Sequence, residues 1–487
     1  MEYLNNLMRG LRYRDLIKGA FAALVLVFLS SPCAVLGQTD RPNIIVLFAD
    51  DLGYGDISYN GGDIPTPNID ALVAEGVRFS SGYMTAPLCN PARAGLITGR
   101  YQQRWGQELN TQKRPPEGAP GGAHLPRSQT TLATALKAQG YATGIVGKWQ
   151  LGDAEGHHPL DRGFDSFFGF LRVADYVDTR WPDVHYIEYP SPAGAVGGPK
   201  PGPKPLMSGR EVVPLEEHMT EKLTREGVAF IKRHKAEPFF LYLSQYAPHT
   251  PIQTTKKYYD RFPQFENETK RIYAAMVSAV DDGVGTIMDT LKKEGLLENT
   301  LVFFTSDNGA AEYSDMDGKR NYPLTGHKRN LYEGGTRVPF AVHWPGVLPE
   351  GKTYEKLVSS LDIFPTALAA AGVAELEGYD LDGANLLPYL KGTKKSDPHE
   401  YLFWRSGPNA AARKGKWKLL MAGEELTRLY NVDKDPSETK DFSGQKPELV
   451  KEMKQAFRKW NSQLPEPRKA NRKVTTEFNG DTIEWDI

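Results

Sequence analysis

The chain has 487 residues, 40% hydrophobic and 24% charged, more than one domain usually holds, so its length favours a large domain with a smaller companion. A formal net charge of -1 excludes the broad positive field of a nucleic-acid binder or a polybasic membrane protein, and any anion site must be local. No nucleic-acid partner is expected.

The N-terminus carries Arg9, Arg12, Arg14 and Lys18, then the apolar run Phe21 to Leu29, then small residues around Ala34 to Gly37. This pattern reads as a secretory signal peptide over residues 1–37, with cleavage after Gly37. The run is too short for the ~20 apolar residues of a membrane span, and Pro32 before Cys33 argues against a lipid anchor. The mature chain is therefore expected to be exported to the periplasm or the extracellular space, with no membrane association after cleavage. Export removes Cys33 and leaves Cys89 alone; from the count, a buried inert thiol is the better expectation than a reactive one.

Apolar runs at 43–48, 142–146, 239–243 and 301–304 read as strands buried on both faces. Helical patterns run from Asn68 to Glu75, Thr130 to Gln139, Leu223 to His234 and Tyr273 to Lys293. The alternation predicts an α/β fold with a large, mostly parallel sheet sandwiched by helices. From about Glu400 short strands at 401–404 and 416–420 and a helix near Glu448 to Trp460 predict a smaller antiparallel sheet domain with a closing helix. The expected division is 38–395 and 396–487. Ser191 to Met207, rich in Pro and Gly, reads as a surface excursion.

Ligands in such sheets bind beyond the carboxyl ends of the strands. Asp50 and Asp51 follow the first run, Lys148 the second, His249 the third, and Asp307 and Asn308 the fourth. Any one of them is explained as a solvated loop residue; four strands delivering such groups to one edge are harder to explain that way.

Cys89-Asn90-Pro91-Ala92-Arg93 places Cys89 at the start of a helix with Pro91 in its first position, where backbone dipoles favour anions. With Gly95, Leu96, Thr98, Gly99 and Arg100 behind it, the segment resembles the Cys-x-Pro-Ser/Ala-Arg signature of the type I sulfatases, in the alkaline phosphatase superfamily. Asp50-Asp51-Leu52-Gly53-Tyr54-Gly55, Gly147-Lys148-Trp149, Ala247-Pro248-His249-Thr250-Pro251, Ser306-Asp307-Asn308-Gly309 and Lys328 followed by Glu333-Gly334-Gly335 extend the resemblance from Pro42 to about Arg337.

The resemblance implies a sulfatase in which a formylglycine-generating enzyme oxidises Cys89. Asp50, Asp51, Asp307 and the Asn308 amide oxygen form an all-oxygen set suited to a hard cation. The resemblance makes that ion calcium, with residue 89 beside it; magnesium fits the same set. A hydrated aldehyde at 89 has one hydroxyl to attack sulfur and another whose deprotonation expels sulfate. Arg93, Lys148 and Lys328 would hold the sulfate oxygens, and His249 would protonate the leaving alcohol. The family usually reads Gly-Lys-x-His-Leu-Gly. Here Gln150 replaces that histidine, and an amide cannot accept the proton of the second hydroxyl.

The substrate is expected to be a sulfated carbohydrate. Arg180, Trp181, His185, His327 and Arg405, beside Trp404, are candidate substrate contacts, although a solvated loop explains each equally well. Two rival readings stand beside this one: a phosphonate or phosphodiester hydrolase on the same scaffold, and a non-catalytic binder of sulfated polysaccharide.

Overall fold

A computed structural model describes residues 41–110, 124–187, 206–313, 316, 318–423, 425–467, 470 and 472–486. The signal-peptide reading, Cys33 and most of the excursion from Ser191 lie outside these residues. Four central strands follow the four apolar runs: β1 (Asn43–Asp50), β2 (Ala142–Lys148), β3 (Phe239–Pro248) and β4 (Thr300–Ser306). They lie side by side in the order β4-β1-β3-β2, and all three pairings are parallel. Every residue of β1, β3 and β4 is buried, as continuous apolar runs require when both faces are covered.

Helices supply that cover: α1 (Pro67–Ala74), α2 (Cys89–Thr98), α3 (Leu132–Lys137), α4 (Met219–His234) and α5 (Glu268–Lys293). Alternate residues of β1 divide between two cores: Ile45 and Leu47 pack with Met276 and Val280 of α5, and Ile44, Val46 and Phe48 with Leu96 and Ile97 of α2. The strand period of two thus splits one apolar run between two helical layers.

The large sheet has ten strands, and its flanks depart from the parallel pattern. Phe340–His343 pairs antiparallel with β4, and Leu206–Ser208 pairs antiparallel with Ser166–Phe170. Leu206 and Met207, expected in the surface excursion, thus belong to a sheet strand. The antiparallel C-terminal sheet has four strands, Leu402–Ser406, Asn409–Lys414, Trp417–Ala422 and Leu426–Asn431, in sequence order. The closing helix is α6 (Pro447–Asn461), and a hairpin of Lys473–Phe478 and Asp481–Asp486 follows. Trp404, Leu420, Tyr430 and Trp485 share an apolar cluster with Tyr83, Leu331 and Tyr332, so the small sheet is packed into the body that carries the site.

Candidate active site

β1 ends at Asp50, and Asp51 turns the chain away at φ 63°. That left-handed backbone is unusual for a residue with a side chain and is characteristic of functional loops. The Asp51 amide donates to Asp307 Oδ1 at 3.0 Å, tying the ends of the neighbouring strands β1 and β4 together. Helix α2 begins at Cys89, with Pro91 third rather than first as expected, and all ten of its residues are buried. Leu88, extended at φ -142° and ψ 140°, is the residue before it.

The Cys89 Sγ–H faces Asp50 Oδ1 at 3.6 Å and Asp51 Oδ1 at 3.8 Å. Arg93, one turn further along α2, donates from Nε and Nη2 to Asp307 Oδ2 at 3.1 and 3.0 Å and lies 3.2 Å from Asp50 Oδ2. Lys148 Nζ pairs with Asp50 Oδ2. Lys328 Nζ donates to both oxygens of Asp51 at 2.7 and 2.8 Å. Three buried carboxylates therefore meet three buried cations, the arrangement that makes interior charge tolerable.

The environment shifts these groups. Burial pushes the Cys89 thiol up, as does the Asp307 carboxylate, against the pull of Lys148 and Lys328; the unmodified side chain is a thiol, not a thiolate. Burial raises Asp307 to about 6, helped by the Asp50 charge and opposed by Arg93. Burial would also raise Asp51, but Lys328 and His249 outweigh it and hold the carboxyl below its ordinary range.

His249, just past β3, donates from Nδ1 to the Thr250 carbonyl at 2.6 Å and presents Nε2 to Asp51 Oδ2 at 3.7 Å. Burial lowers it to about 3 against the Asp51 charge, with Lys328 and Lys148 adding to the fall. In this arrangement the imidazole is neutral, and Nε2 offers a lone pair rather than the proton expected of a donor. Asp50, Asp51, Cys89 and His249 bring one ligand atom each within 4.8 Å of one another. Asn308 donates from Nδ2 to Asp51 Oδ1 at 2.7 Å, while its Oδ1 is buried without a hydrogen-bond partner. A buried, unsatisfied amide oxygen beside three carboxylates fits a hard cation; Asp307, turned toward Arg93, completes the acidic set.

Gln150 sits at φ 59°. Its N–H donates to the Leu171 carbonyl at 3.0 Å and its carbonyl accepts from Asn90 Nδ2 at 2.6 Å, whereas its side-chain Oε1 is buried and unpartnered. Asn90 Oδ1 accepts in turn from Gln107 Nε2 at 2.7 Å. These amides tie the residue that follows Cys89 to the backbone at Gln150 and to Gln107.

The substrate candidates divide. His327 adjoins Lys328, with Nδ1 donating to the Lys328 carbonyl at 2.7 Å and Nε2 3.1 Å from Glu312 Oε2. His185 stacks on Tyr259 at 3.6 Å in the strand Val184–Tyr186, which pairs with Gln253–Thr255 just beyond His249. Arg180 is exposed and bonded to Asp178 at 2.8 and 3.0 Å, and Trp181 packs against the core. Arg405 is 4% exposed and committed to Glu108 at 3.2 Å, Asn461 at 2.6 Å and the Pro465 carbonyl at 2.8 Å. Trp404 Nε1 donates to the Met84 carbonyl at 2.7 Å. These last two are interior tie points rather than groups offered to a substrate.

The structure adds residues that the sequence reading passed over. Ser244 Oγ accepts from Arg93 Nη1 at 2.6 Å. The Tyr246 ring lies under Lys148 Nζ at 5.3 Å and stacks on His249 at 4.9 Å, and Tyr176 donates to the His249 carbonyl at 2.8 Å. Ser244 and Tyr246 were findable: both lie between the end of the apolar run at Leu243 and His249, in the last residues of β3.

Comparisons with known proteins agree with this geometry. A family model described as Sulfatase matches residues 42–373, and one described as N-sulphoglucosamine sulphohydrolase, C-terminal, matches residues 326–463. The chain is 35% identical to the N-acetylgalactosamine-6-sulfatase of Mus musculus over 81% of this chain and 75% of that protein. It is 36% identical to arylsulfatase A of Bos taurus over 79% of this chain and 76% of that protein. The solved structure of Ps i-CgsB in complex with k-i-k-neocarrahexaose superposes with a TM-score of 0.77 at 36% identity, covering 88% of this chain and 94% of that one. With its cysteine signature, acidic cluster and paired cations on the carboxyl edge of such a sheet, the chain belongs to the type I sulfatase family and is a sulfuric ester hydrolase.

Proposed function

We propose that the protein removes sulfate from a sulfated carbohydrate, with residue 89 acting as formylglycine beside a bound calcium ion. The observation that carries this reading is the placement of Cys89 at the first turn of α2, within 3.6 and 3.8 Å of Asp50 and Asp51 and ringed by Arg93, Lys148 and Lys328. The carbohydrate follows from the relatives, one named for N-acetylgalactosamine-6-sulfate chemistry and one solved with a neocarrahexaose.

Asp50, Asp51, Asp307 and Asn308 Oδ1 would hold the calcium, and the ion would supply Lewis acidity toward a sulfate oxygen. Formylglycine at 89, made by a formylglycine-generating enzyme, would supply the nucleophilic hydroxyl in its hydrated form. Lys148 and Lys328 reach into the same space and provide donors aimed at the sulfate oxygens. Arg93, locked to Asp307 and Ser244, keeps the first turn of α2 in place and contributes fixed positive charge. An anionic ester entering beside His249 favours the imidazolium, and Nε2 is the ring atom on the side of Asp51 from which a proton would pass to the leaving oxygen. Gln150 has no proton-accepting role; its unpartnered Oε1 is suited to accept a hydrogen bond from the bound ester's surroundings.

Residues 1–37 support export of the mature chain. The switch to a separate antiparallel sheet at Leu402 supports a division near 395/396. The test is a desulfation screen on a panel of sulfated oligosaccharides, with one aryl sulfate and its phosphodiester analogue alongside. Release of sulfate from an oligosaccharide is expected. Preference for the phosphodiester would favour the phosphonate or phosphodiester reading, and binding without turnover a non-catalytic one.

A further inference from the structure

The three buried carboxylates of the site are matched by Arg93, Lys148 and Lys328. Arg329, the next residue after Lys328, is a cation in surplus. It is partly buried, and among the described residues no carboxylate pairs with its guanidinium. Its backbone stands at φ 90°, a left-handed conformation that glycine adopts freely and an arginine adopts at a cost. The turn is held from both sides: the Arg329 N–H donates to the Pro87 carbonyl at 2.8 Å, two residues before Cys89, and the Lys328 N–H donates to the Ala310 carbonyl at 3.0 Å. The chain therefore fixes an arginine, in a conformation that disfavours it, against the segment that delivers the nucleophile. In the same loop Glu312 faces His327 Nε2 at 3.1 Å. Glu312 is held below its ordinary range by His327 first, with Arg320 and Arg329 adding to the effect.

We propose that Arg329 binds a second oxyanion of the substrate, a sulfate or carboxylate borne by the same carbohydrate as the ester that is cleaved. This rests on the sulfate-ester reading above and narrows it to carbohydrates carrying at least two negative groups. A guanidinium is matched best by a planar or trigonal array of oxygens that accepts two N–H donors at once.

The experiment uses three matched oligosaccharides: one with a single sulfate, one with a second sulfate on the neighbouring sugar, and one with a uronate carboxylate there. The doubly charged substrates should show the higher kcat/KM. Arg329→Ala should cut that advantage by about tenfold, through KM rather than kcat, because one charge-assisted contact is lost; Arg329→Lys should restore part of it. The arm with the larger loss identifies sulfate or carboxylate as the group read. Equilibrium binding of the same three to Cys89→Ser protein, with and without Arg329→Ala, reads the subsite without turnover. If that difference in binding is seen but no sulfate ester is hydrolysed, the proposed function fails and the subsite stands. Equal affinity for all three, or an Arg329→Ala loss of the same size on every substrate, would overturn the inference.

Discussion

Arg93 and Asp307 form a two-pronged contact, Nε and Nη2 both donating to Oδ2 at 3.1 and 3.0 Å, in a place where the arginine is 1% exposed and the aspartate fully buried. The pair bridges α2, which carries residue 89, and the end of β4, which carries the acidic loop. Removing one partner leaves an uncompensated interior charge. Arg93→Ala should therefore destabilise the fold by about 3–5 kcal/mol, read from denaturant midpoints, and abolish turnover. A variant of unchanged stability would mean that the two charges are solvated or separated in solution.

The acidic loop should bind one calcium per chain. Asp307→Ala is expected to remove both the metal and activity, and Asn308→Ala to weaken calcium binding by about tenfold, because a carbonyl-type ligand is lost from a hard-ion site. Elemental analysis and calcium titration measure both. Retention of stoichiometric calcium by Asp307→Ala would show that this ligand set is wrong.

Gln150 predicts a kinetic signature. If no other group replaces the missing base, attack on the ester proceeds while release of sulfate from the enzyme is slowed, a base being worth ~100-fold or more. Alcohol should appear in a burst equal to the active enzyme, followed by a slower steady rate that Gln150→His raises. A linear time course, with Gln150→His slower than the parent, would mean that the amide is part of the site as built.

His399 provides a pH-dependent contribution to stability away from the site. Its Nε2 lies 2.8 and 3.0 Å from the two oxygens of Asp362. Burial alone would lower the histidine, but the Asp362 charge and hydrogen bond outweigh it and raise it. A raised folded value means that stability is fully present below the unfolded value of ~6.5 and is lost as pH rises through the folded value. His399→Gln should cost about 1–3 kcal/mol at acidic pH and progressively less above neutrality. A cost that does not change between about pH 5.5 and 9 would contradict the linkage.

The centre of the sheet was legible because the four parallel strands β1 to β4 are covered by helices and so show as uninterrupted apolar runs; Ser166–Phe170, also parallel but half-buried and interrupted by Gly169, was not read. The antiparallel flanks were not: Phe340–His343 and Leu206–Ser208 are four and three residues long, too short for a pattern. The residues at the ends of β1 to β4 could be read because chain order and sheet geometry together place them on one edge. Arg405 could not, since its partner Glu108 lies 297 positions away and nothing local distinguishes a buried tie from a substrate contact. Gln150 was conspicuous only against the family pattern, and its left-handed backbone and the amide chain through Asn90 and Gln107 become visible only in three dimensions.

The most direct test of the account is to measure sulfate release from a sulfated oligosaccharide by preparations differing in the fraction of residue 89 converted to formylglycine, that fraction being read by peptide mass spectrometry. Turnover should rise in proportion to conversion and vanish in Cys89→Ser. Full activity from protein whose Cys89 is an unmodified thiol would contradict it.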